Sequence, residues 1–135
     1  MRHVLLVALI FLATLLLFLF APRGAAADGR AAFADHCAVC HGLNADGNGP
    51  MAPVLMVPPP DLTTLAEGNG GVFPTGRVLR RIDGRDEVLA HGGPMPVFGL
   101  LLDGPSTVVM APDGSEIVTP EALARVLSWL EEVQR

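Results

Sequence analysis

Tyrosine and lysine are missing from the 135-residue chain, tryptophan occurs once and cysteine twice. Two cysteines cannot build the multiple cross-links of a disulfide-framed domain. Without lysine, all nine basic residues are arginines, and seven of them follow residue 27, against fourteen acidic residues that all lie from Asp28 onward. Residues 28–135 therefore carry a net charge of −7, which excludes the basic surface of a nucleic-acid-binding module. Charge is absent altogether from residues 4–21, VLLVALIFLATLLLFLFA. Half of the chain is hydrophobic, which excludes disorder, and its length suits one domain rather than two.

Met1-Arg2-His3, the apolar run and Ala25-Ala26-Ala27 together have the layout of an export signal cut before Asp28. The run is longer than a usual signal core and reaches the lower limit for crossing a bilayer, so an uncleaved anchor is the alternative. Residues 1–27 are read as a signal peptide and residues 28–135 as the domain, which faces an extracytoplasmic space either way.

Asp28 to Cys40, DGRAAFADHCAVC, predicts a short alanine-rich helix with Asp28 as its cap. Residues 42–60 hold too many glycines and prolines for a regular element and predict a long loop wrapped around something. Pro58, Pro59 and Pro60 stiffen its end. Asp61 is placed to cap a short helix through Glu67, and a helix is expected over Thr75–Asp83, stopped by Gly84, with Val78, Leu79 and Ile82 inward. Between Leu100 and Val118 two apolar stretches flanked by DGP and PDG turns allow a small hairpin or an irregular excursion. The last helix is expected to be capped by Thr119, with Pro120 in its first position and Leu123, Val126, Leu127, Leu130 and Val133 along one stripe.

The chemistry concentrates in Cys37-Ala38-Val39-Cys40-His41, the C-x-x-C-H pattern of covalent c-type haem attachment. At a helix end both thiols project to one side, where each can form a thioether to a haem vinyl group, and the next residue sets an imidazole under the iron. A thioredoxin-like pair would want a strand before it and a helix after it. A structural zinc site would need four ligands, and only His36 and His91 are at hand to complete one. With His41 on iron, the candidates for the sixth position are Met51, Met56, Met95, Met110, His36 and His91. Met95 is the best placed, because Pro94 and Pro96 deny it a helix and fix its backbone. His91 is next, while His36 lies too close to Cys37. Leu55, Met56, Val97 and Phe98 are expected in the haem pocket, and Arg77, Arg80 and Arg81 share one predicted helix whose plainest reading is a solvated face.

On these residues the chain resembles the class I, monohaem cytochromes c, especially the small bacterial periplasmic ones. The resemblance rests on CAVCH, on Met95 to Phe98, on Phe33 four residues before Cys37, on Trp129 in the last helix and on the Pro-Pro-Pro-Asp-Leu-Thr stretch from 58 to 63. It implies an all-α fold of three to four helices and long loops around one covalent haem c, with His41 proximal and Met95 distal. It also implies that the Pro50 carbonyl orients His41, and that the first and last helices cross near Phe33 and Trp129. Two contacts of many family members, a tyrosine to the distal methionine and a mid-chain tryptophan to a propionate, have no counterpart here, so an arginine among 77, 80 and 81 is a candidate for the propionate.

The expected function is an exported, periplasmic carrier of one electron, or an electron-transfer subunit, and not an enzyme; two strong axial ligands leave no substrate position, and methionine opposite histidine raises the potential. Expected partners are redox proteins: a periplasmic dehydrogenase, a quinol-oxidising complex or a terminal oxidase. No nucleic acid is expected, and membrane contact only through a retained leader. A labile distal ligand would instead make a gas sensor or a peroxidase-like enzyme. Lacking the lysine ring of mitochondrial-type cytochromes, the chain must dock differently.

Overall fold

Alanine, the best helix former, fills half of the first helix, α1 (Ala25–His36). The computed structural model describes residues 25–84 and 95–135. The leader up to residue 24 and the candidate ligand His91 lie outside them. Asp28 sits inside the first turn of α1 rather than capping it, where a carboxylate still suits the positive end of the helix dipole.

Helix α1 packs most extensively on the last helix, α4 (Glu121–Glu132). Glycine within a helix costs about 1 kcal/mol relative to alanine, yet Gly29 is buried in α1. The reason is distance: a β-carbon on Gly29 would stand 1.9 Å from the backbone carbonyl oxygen of Arg125 in α4. Gly29→Ala should therefore destabilise the domain by about 1–3 kcal/mol, the usual cost of overpacking, read as a lower midpoint in denaturant. A neighbouring surface change such as Arg30→Ala should leave that midpoint almost unchanged.

On the same crossing Phe33 and Trp129 stack at a tilt, with ring centroids 4.5 Å apart. Leu123, Val126, Leu127 and Leu130 form the expected buried stripe of α4. The helix starts one residue later than expected: Pro120 is its N-cap, and Thr119 is not a cap but a buried strand residue.

Helix α3 covers Thr75–Asp83, with Val78, Leu79 and Ile82 buried, and ends at Gly84 in the left-handed region. Asp61 caps as expected through its side chain, but it opens two single 3₁₀ turns, Leu62–Thr64 and Glu67–Asn69, instead of one helix.

The all-α expectation needs correcting. Strands β1 (Ser106–Met110) and β2 (Glu116–Pro120) form an antiparallel hairpin with Val108 opposite Val118. Both segments alternate, so Val109 and Ile117 face the core while Val108, Met110 and Val118 face out. With the short helix α2 (Ala38–His41), the described residues thus form four α-helices and a small two-stranded sheet. Among the described residues no helix is long and apolar enough to cross a membrane.

Candidate haem-binding site

The CAVCH segment continues α1 through a slight break. The N–H of Cys37 still donates to the Phe33 carbonyl (2.8 Å), and α2 comes next, with the Cys37 carbonyl accepting from both Cys40 and His41. A helix end leaves carbonyls without partners; here the succeeding loop supplies them. Gly47 donates to the His41 carbonyl (2.9 Å), Gly49 to Cys40 (3.1 Å) and Met51 to Val39 (2.9 Å). A β-carbon on Gly49 would lie 2.5 Å from the Cys40 carbonyl, so only glycine lets the loop approach this closely.

The loop then closes one wall of a cavity of about 680 Å³, within the roughly 300–1,000 Å³ usual for cofactor sites. Cys37, Cys40 and His41 line it, as do Met95 and Phe98, which arrive from far along the chain. Their segment is pinned to the end of α3: Phe98 donates to the Ile82 carbonyl (3.1 Å) and Gly99 to Asp83 (2.9 Å). Met95 is the one methionine among the lining residues, and His36 lines the cavity too. Met51 and Met110 are exposed and outside it. Of the four residues expected in the pocket, Leu55 and Phe98 line it, while Met56 is fully exposed and Val97 packs against Gly84.

His41 is buried and stands 6.5 Å, centroid to centroid, from Phe33, which links it to Trp129. Burial lowers its pKa and so favours the neutral imidazole, the form that binds metal. The expected role of Pro50 is not supported: Pro50 is exposed and does not line the cavity. The backbone carbonyl that acts on the ring is that of Pro60, which favours its protonated form, though Nδ1 makes no hydrogen bond of normal geometry. Sequence reasoning misses Pro60 as a site residue because the proline run reads as a stiff spacer. Its place directly before the Asp61 cap is the available signal, since a capped turn fixes the carbonyl that precedes it.

The thiols are free, Cys37 being buried and Cys40 half-buried. Burial, with Cys40 beside it, pushes the Cys37 thiol up to about 11. A redox-active C-x-x-C pair requires the opposite shift, toward a stable thiolate. Nor do His36, Cys37, Cys40 and His41 meet at one point as zinc ligands would: among the described residues no three His, Cys, Asp or Glu side chains form a metal-holding group. Arg77, Arg80 and Arg81 line the cavity and no carboxylate among the described residues does.

The wall formed by Leu62 and Leu65 is braced from the far end of the chain. Gln134 accepts from the Ala66 N–H (2.9 Å) and donates to the Leu62 carbonyl (2.8 Å). Arg135 donates to the Thr63 hydroxyl (2.8 Å) and to Asp61 (2.6 Å). The Thr63 hydroxyl, then the Thr63 N–H and the Arg135 charge, hold the Asp61 carboxyl below its ordinary value of 3.8. A depressed carboxyl contributes stability that is full above its unfolded pKa and disappears as pH falls through the folded one. Asp61→Asn should therefore melt lower than the parent near neutral pH, and the two melting temperatures should converge in strong acid.

Two thiols and an imidazole on adjoining helical turns, opening into one apolar chamber, define a c-type haem-binding domain. A family model described as cytochrome c matches residues 26–134, and the chain belongs to that family. Its members attach haem covalently and move electrons with it. No curated protein and no solved structure matches the chain.

Proposed function

We propose that the chain is a class I, monohaem cytochrome of the bacterial periplasmic type, carrying one electron on a haem c held by Cys37 and Cys40 through thioethers and by His41 and Met95 on iron. The observation that carries the reading is the convergence of Cys37, Cys40, His41 and Met95 on one cavity whose other walls are mostly apolar. Bound haem supplies a ferric–ferrous couple. The chain's own residues do the rest: the Pro60 carbonyl would accept a hydrogen bond from the imidazole N–H and so set the ring's orientation, the prolines beside Met95 restrict its backbone, and the apolar walls keep water from the site.

This favours an electron carrier, or an electron-transfer subunit, over an enzyme. The partner is a redox protein such as a periplasmic dehydrogenase, a quinol-oxidising complex or a terminal oxidase. Val39 and Val57 line the cavity and are about half exposed (50% and 56%), which supports an apolar contact, rather than one steered by charge, at this edge. The alternative of a labile distal ligand, giving a gas sensor or peroxidase-like enzyme, is disfavoured by the two hydrogen bonds that pin the segment following Met95.

Haem staining of the exported protein on a denaturing gel, together with its mass, tests the reading. The expected result is a stained band whose mass equals residues 28–135 plus one haem, lost on Cys37→Ser or Cys40→Ser. A mass that includes the leader would keep the haem and make residues 1–27 an anchor. A colourless protein would sink the whole reading.

A further inference from the structure

Gln134 and Arg135 lie beyond the end of α4, yet they reach back to one turn of the cavity wall. The Gln134 side chain accepts from the Ala66 N–H (2.9 Å) and donates to the carbonyls of Leu62 (2.8 Å) and Leu130 (2.7 Å). Arg135 donates from its side chain to the Thr63 hydroxyl and to Asp61, and from its backbone N–H to the Thr63 carbonyl (2.9 Å). An exposed ion pair alone is worth little, and the Arg135 side chain is 65% exposed. Here, however, two adjacent residues bond the turn from Asp61 to Ala66 at both ends and in its middle.

The turn is gripped from its other side as well. Leu62 donates its N–H to the carbonyl of Ala45 (2.8 Å), a fully buried residue held in the left-handed region at φ 58°. A residue with a side chain keeps that conformation only where its surroundings impose it. What the gripped turn delivers is the residue before it, Pro60. A β-carbon on Gly47 would stand 3.2 Å from the Pro60 carbonyl oxygen, and Gly47 donates to the His41 carbonyl, so Pro60 is brought in beside the imidazole. Nδ1 of that ring is buried with no hydrogen bond of normal geometry, and the Pro60 carbonyl is the backbone acceptor that acts on the ring.

We infer that Gln134 and Arg135 are positioning residues for the proximal ligand: by latching the turn from Asp61 to Ala66 they hold the Pro60 carbonyl on the His41 ring. The inference rests on the haem reading proposed for the cavity. An acceptor behind a ligating imidazole makes it more basic, and a more basic ligand favours ferric iron. Loosening the latch therefore weakens the acceptor and favours the ferrous form.

Redox titration of the haem-loaded protein tests this, together with solvent exchange of the His41 ring N–H followed by NMR in the ferrous state. At the potential where half of the parent is reduced, Gln134→Leu/Arg135→Leu should shift the ratio about threefold toward ferrous iron, within the range of a single hydrogen bond, and the ring N–H should exchange faster. Loss of the Arg135 charge by itself favours ferric iron, so a ferrous shift cannot be a charge effect. Gln134→Leu, which leaves the charge alone, should show part of both changes. Arg135→Lys keeps the charge beside Asp61 and the backbone bond to Thr63, and should stay near the parent. Gly29→Ala strains a different contact of α4; it should lower the denaturation midpoint and move neither the ratio nor the exchange. If the double variant takes up no haem, Gln134→Leu decides alone. A lowered midpoint with unchanged ratio and exchange, a shift toward ferric iron, or an equal shift in Gly29→Ala would overturn the inference while leaving the haem reading intact. Absence of covalent haem from the parent would instead overturn the reading beneath it.

Discussion

Met95→Ala is expected to leave a protein that still stains for covalent haem but whose ferric spectrum is high-spin and lacks the methionine-to-iron charge-transfer band. On the proposed reading attachment depends on Cys37 and Cys40, which the change does not touch, whereas Met95 is the one methionine lining the cavity among the described residues. Axial ligation sets haem potentials over roughly 0.8 V, and the thioether lies on the high side of that range. The variant should therefore titrate at a markedly lower potential, and should bind cyanide or imidazole far faster than the parent. Persistence of the charge-transfer band in Met95→Ala would remove Met95 from the iron and return attention to His91.

Phe33→Ala should cost about 3–5 kcal/mol of stability, a large share of the roughly 5–15 kcal/mol that holds a domain together. Phe33 is only 2% exposed and touches both Trp129, at 4.5 Å, and His41, at 6.5 Å between centroids. Its removal opens a void beside both the helix crossing and the His41 ring. Chemical denaturation should show the loss directly. In the same variant the circular dichroism of the Soret band should change, because the His41 ring loses the neighbour that limits its tilt. A purely local defect would lower the midpoint and leave the Soret signal alone.

Legibility in the sequence divides along physical lines. Short-range signals carry through: Val78, Leu79 and Ile82 at helical spacing, Gly84 as a stop, and the stripe from Leu123 to Leu130 are properties of one helix and its period. The C-x-x-C-H spacing is equally local, and Met95 stands out through its flanking prolines. Relations between distant segments are legible only in part. Strand β2 is hard to recognise because EIVTP is brief and ends in a proline next to a helix, so a hairpin is only one of two readings of residues 100–118 and the partner of TVVM is not singled out. Pro50 is the more obvious choice than Pro60 because the path of the loop depends on its hydrogen bonds to Val39, Cys40 and His41, which no spacing encodes. Gly29 passes for a weak point in a helix, when it is the contact that lets α1 and α4 cross.

That crossing also constrains how the molecule is made. Gly29 and Phe33 pack on Arg125 and Trp129, almost a hundred residues further along, so this crossing closes only after the last helix has been synthesised. Contacts so far apart in sequence are slow to form. Until then Cys37 is unburied, and nothing holds its thiol at the elevated pKa of the finished fold. The nascent polypeptide is therefore the more reactive substrate for thioether chemistry, and a chain allowed to close first would hide the sulfur it needs to offer.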